Sequence, residues 1–162
     1  MAITKINEPG LPSGSILQIV QASHTTVTSI TSTTYADVGL TASITPVSTS
    51  NKVLVLAYCS CGVPDSDNDG DDFFVSLVRA STAIGGGNTV DGDAFFHGTS
   101  DGGAYTLRMA TFTYLDSPSA VSSTAYKIQQ RNRNASKQTY FNRRGGDTSG
   151  AISYITLMEV AG

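Results

Sequence analysis

Period-two alternation of apolar side chains with small hydroxyl and other polar groups is what most limits the folds open to this chain. In residues 105–115, Tyr105, Leu107, Met109, Thr111, Thr113 and Leu115 fall on one side, and Ala110, Phe112 and Tyr114 on the other. In residues 124–131, Ala125, Lys127 and Gln129 oppose Tyr126 and Ile128. Leu40, Ala42 and Ile44 repeat the pattern. Successive side chains point to opposite faces in a strand, so these segments read as β. Composition agrees: the 162 residues include 20 Ser and 20 Thr, while Glu occurs only at 8 and 159. Ser, Thr and Gly weaken helices that Glu, Lys, Ala and Leu favour. This balance argues against a helical bundle or an α/β enzyme and for short strands joined by turns.

Residues 1–15 stand apart, because Pro9, Gly10, Pro12 and Gly14 keep them extended. From Ile16 the pattern is β: one strand over residues 16–30, a short segment over 33–38, then alternation to Ile44. Residues 52–63 (KVLVLAYCSCGV) are almost continuously apolar and read as a central strand buried on both sides. Further strands are expected over residues 73–78, 105–115, 124–131 and 152–160, with a short segment near 139–142, while 91–103 reads as loop interrupted by a short apolar piece at 94–96. Eight to ten short antiparallel strands with frequent turn signals predict an all-β jelly-roll sandwich over residues 16–162, preceded by an extended arm over 1–15.

The formal net charge is −3, so no global field attracts nucleic acid. No apolar run reaches the roughly 18 residues of a membrane span. Residues 1–14 hold one Lys and no apolar core, unlike a secretory signal, so synthesis in a cytoplasm is expected. Cys59 and Cys61 share one strand face and read as free thiols in the core, with no cofactor implied.

Two charged clusters invite a functional reading. Asp65, Asp67, Asp69 and Gly70 match the opening of a calcium loop, whose alternating carboxylates converge on a hard cation. The twelfth position is Ser76 rather than Glu, and the flanks are strands, so a solvated acidic turn competes with a calcium site. Lys127, Arg131, Arg133, Lys137, Arg143 and Arg144 hold six of the ten basic residues, interleaved with Tyr126, Tyr140 and Phe141. Arg beside aromatic rings grips phosphate, sugar or carboxylate. Tyr126, Arg131, Arg133, Tyr140 and Arg143 are thus candidates for contact with a host glycan or an acidic partner, and a solvated charged face is the alternative. No G-x-S-x-G or phosphate-binding loop is present, and an enzyme is not expected.

The segments PSGSILQIVQ (residues 12–21), YADVGLTASITPVSTSNKVLVLA (35–57) and YITLMEVAG (154–162) resemble a module of tailed-bacteriophage structural proteins, of the type common in marine phages. The resemblance implies a virion protein assembled in the host cytoplasm, often a homotrimer, with a jelly roll similar to the C1q/TNF type. In such proteins an upstream region attaches to the particle. Here that role would fall to Ile3, Ile6 and Leu11, stiffened by Pro9 and Pro12. The expectation is a capsid-decoration, head-fibre or tail-fibre-tip module that contacts other virion proteins. A dedicated host glycan- or receptor-binding tip is the alternative, and a polysaccharide depolymerase ranks behind both. Apolar groups on both faces of residues 52–63, 105–115 and 152–160 independently suggest that outer faces pack against sister subunits in a closed oligomer.

Overall fold

The computed structural model describes residues 11–63, 73–84, 96–98, 106–146 and 148–162. Among the described residues there are eleven strands: β1 (Ile16–His24), β2 (Thr28–Ile30), β3 (Ala36–Ile44), β4 (Lys52–Val63), β5 (Phe73–Arg79), β6 (Thr82–Ile84), β7 (Phe96–Gly98), β8 (Thr106–Asp116), β9 (Thr124–Asn132), β10 (Thr139–Phe141) and β11 (Ser153–Val160). The described residues contain no helix.

All strand pairs are antiparallel, and they form two sheets. The six-stranded sheet runs β1-β11-β4-β10-β2, with β8 on the other side of β4. The five-stranded sheet runs β3-β9-β5-β6, with β7 also on β5. Several neighbours come from distant parts of the chain, β1 with β11 and β4 with β8 among them, whereas β5 and β6 form a hairpin. The fold is therefore the all-β sandwich that the alternation predicts, with more strands than expected and two of them long.

The core is the space between the sheets. Val53, Val55, Ala57, Cys59 and Cys61 of β4 point inward at successive odd positions and are buried. They meet Leu40, Ala42 and Ile44 of β3, Tyr126 and Ile128 of β9, and Val75 and Leu77 of β5. Both cysteines are free and buried, and burial pushes the Cys59 thiol up to about 12 and Cys61 well above its ordinary value. Three sequence expectations need correction. Residues 16–30 are not one strand: β1 pairs with β11, whereas β2 pairs with β10. The segments at 33–38 and 40–44 join into the single strand β3, because Gly39 at φ +91° lets β3 bulge against β9 without ending. β4 is central, as expected, but buried on one side only along its first half, where Leu56 and Tyr58 are 36% and 40% exposed.

Two buried polar latches hold the ends of the sandwich. At one end Glu159 is fully buried and accepts hydrogen bonds from Val47 N (2.7 Å), Asn51 Nδ2 (2.7 Å) and Gln18 Nε2. Gly14 N donates to Ala161 O (2.8 Å) at the same end, so the chain enters the body beside its last strand. At the other end Asn132 Nδ2 donates to Ile30 O (2.7 Å) and Thr139 Oγ1 donates to Asn132 Oδ1 (2.6 Å), which ties β9 to β2 and β10 across the sheets.

Candidate functional site: the outward face of the six-stranded sheet

Register lays the outward side chains of β1, β11, β4 and β8 in rows across the sheet. One row is Ile19, Met158, Leu54 and Leu115. The next is Gln21, Thr156, Leu56 and Thr113, and the third Ser23, Tyr154, Tyr58 and Thr111. Beyond them on β8 lie Met109 and Leu107. One aliphatic row on one side, and Met109 and Leu107 on the other, thus flank two rows rich in hydroxyls. Past Tyr58 the chain covers its own sheet. Arg143 O would lie 1.9 Å from a Cβ on Gly62, and Asn142 N donates to Ser60 O (2.8 Å).

Over the two hydroxyl rows lies an open trough of about 570 Å³. Its walls include Leu56, Tyr58, Thr111, Thr113, Tyr154 and Thr156, with Gln21 at one end. The Tyr58 and Tyr154 rings are 6.5 Å apart and tilted by 50°. Gln21 Nε2 donates to Thr156 Oγ1 (2.9 Å), which fixes the amide along the trough. Among the described residues, the outward side chains of these four strands include a single charge, Lys52 at the start of β4.

The opposite outward face, on the five-stranded sheet, is charged. Lys127 Nζ and Gln129 Nε2 donate to Asp37 at 2.9 and 2.7 Å, and these two bonds hold its carboxyl below the ordinary 3.8. The Arg131 guanidinium stacks 3.9 Å from the centre of the Phe74 ring, and Arg133 lies 5.7 Å from the same ring. A smaller hollow of about 230 Å³ sits at the β3 bulge between Asp37 and Lys127.

The candidate residues read from sequence do not converge on one surface. Arg131 and Arg133 belong to the charged face, whereas Arg143 stacks on Tyr140 (3.9 Å) at the far end of the six-stranded sheet. Tyr126 is inside the core, where its hydroxyl donates to Asp116 Oδ2 (2.6 Å). Burial, and then this hydrogen bond, push its phenol pKa up. Asp116 also pairs with Arg79 at 2.8 Å. Leu11 is 38% exposed and Pro12 is exposed, while Ile3, Ile6, Pro9, Asp65, Asp67 and Asp69 lie outside the described residues. Among the described residues no group of three or more His, Cys, Asp or Glu could hold a metal ion. The trough is absent from the sequence reading. Its signal was there in residues 105–115, where Thr111 and Thr113 interrupt an otherwise apolar outward set.

Fold and face define a class: an antiparallel two-sheet β-sandwich with one charged outer face and one sparsely charged, partly uncovered outer face. No protein-family model matches the chain, and no curated protein is significantly similar to it.

Proposed function

We propose that this chain is a non-enzymatic structural module of a tailed-phage virion, assembled as a homotrimer and docked on capsid or tail by its N-terminal arm. The uncovered aliphatic edge of the six-stranded sheet carries the reading. Leu115 of β8 is 48% exposed beside Leu54 of β4, and past Thr113 and Thr111 on the same strand Met109 and Leu107 are 36% and 37% exposed. Exposed apolar groups gathered on one sheet face mark interaction surfaces on soluble proteins. Subunit interfaces are depleted of charge at their centres and enriched in Met and aromatic groups. A sister copy is an occupant that fits both properties, and closed symmetry then limits the assembly to a few copies. The trimer and the virion setting rest on the resemblance of residues 12–21, 35–57 and 154–162 to phage modules.

The arm is tested by deletion of residues 1–11. This cut spares the bonds from Ser13 Oγ and Gly14 N to Ala161 O, so the sandwich keeps its melting temperature. The truncated chain should fail to co-sediment with particles that incorporate the full chain. Normal incorporation would remove the arm from the account.

A further inference from the structure

We propose that the trough over Tyr58 and Tyr154 is a binding site for a neutral hexose oligosaccharide. This goes beyond the structural role above: the trough starts beside the aliphatic groups, at Leu56 of β4 and Thr111 and Thr113 of β8, and extends across β11 to β1. The aliphatic edge lies on β8, while the far end of the trough is built by Gln21, Tyr154 and Thr156 of β1 and β11.

The chemistry of the walls selects the ligand. A pyranose has apolar C–H faces and a rim of hydroxyls, each both donor and acceptor. The two tyrosine rings, 6.5 Å apart and tilted by 50°, offer adjacent apolar faces with polar tips. Thr111, Thr113 and Thr156 supply hydroxyls that match either hydrogen-bonding sense, and Gln21 adds an amide already oriented by Thr156. No charged side chain lines the trough, so nothing compensates the desolvation of a carboxylate, sulfate or ammonium on a ligand. A volume of about 570 Å³ falls within the range of small-ligand sites. Mostly apolar walls with a few placed polar groups are the usual composition of such sites. The basic residues that the sequence offers for glycan contact are split between two opposite faces and lie outside the trough.

Calorimetric titration of the full chain with cello-, laminari-, malto- and mannohexaose tests the proposal, with a hyaluronan hexasaccharide as the anionic control. At least one neutral sugar gives saturable binding, and the anionic one gives none. Tyr154→Ala weakens that binding by about tenfold, as loss of a central aromatic contact does. Thr156→Val, which keeps shape and removes the hydroxyl, also weakens it and serves if the tyrosine variant fails to fold. Both variants keep the assembly mass of the parent by light scattering. The proposal is overturned if no neutral sugar binds, if binding survives both changes, or if a variant lowers the assembly mass, which would place the trough inside a subunit contact. Leu115→Glu separates the two readings: loss of assembly with sugar binding retained supports the site. An unchanged mass counts against the structural reading alone.

Discussion

Tyr126 shows how one side chain changes meaning between sequence and structure. Its place among basic residues suggests a surface contact, yet its alternation with Lys127 and Gln129 puts it on the opposite side of β9, with Ile128. The period decides, because a one-residue change of face turns a core residue into a surface one. The Asp116 carboxylate that receives its hydroxyl could not be assigned from sequence, since hydrogen-bond partners across a fold leave no trace in spacing. Arg79 and Asp116 come together for the same illegible reason. Tyr126→Phe removes a donor to a buried carboxylate, and chemical denaturation should show a loss of about 1–3 kcal/mol. An unchanged midpoint would mean that this bond contributes nothing net.

At the scale of elements, strand existence was legible and strand continuity was not. β4, β8, β9 and β11 fall where alternation or apolar runs place them. Residues 16–30 broke into β1 and β2 because a Ser/Thr-rich stretch is equally compatible with strand and turn. The two-sided burial expected of β4 fails for a related reason. Hydrophobic side chains on both faces show that both can be covered, without naming the cover. Over the second half of β4 the cover is the connector from β10 to β11, and Gly62 permits it. A methyl there would collide with the Arg143 carbonyl. Gly62→Ala should therefore cost about 1–3 kcal/mol in thermal or chemical melts, as overpacking does. A neutral result would show that the connector moves aside freely.

For the molecule as a whole, the alternation predicts a sandwich, and the two sheets supply it. Which outer face stays open depends on pairing register, and register between residues a hundred positions apart is beyond a single sequence. The row Ile19, Met158, Leu54 and Leu115 exists only once β1, β11, β4 and β8 are aligned. Burial of such a row yields roughly 25 cal/mol per Å² of apolar surface removed from water, which favours association over solvation. Light scattering on the purified full chain, beside Leu115→Glu, tests this claim most directly. The account predicts a parent mass of three chains of 16.9 kDa and a lower mass for the variant at the same concentration. A parent that stays at the mass of one chain over the whole soluble range would contradict it.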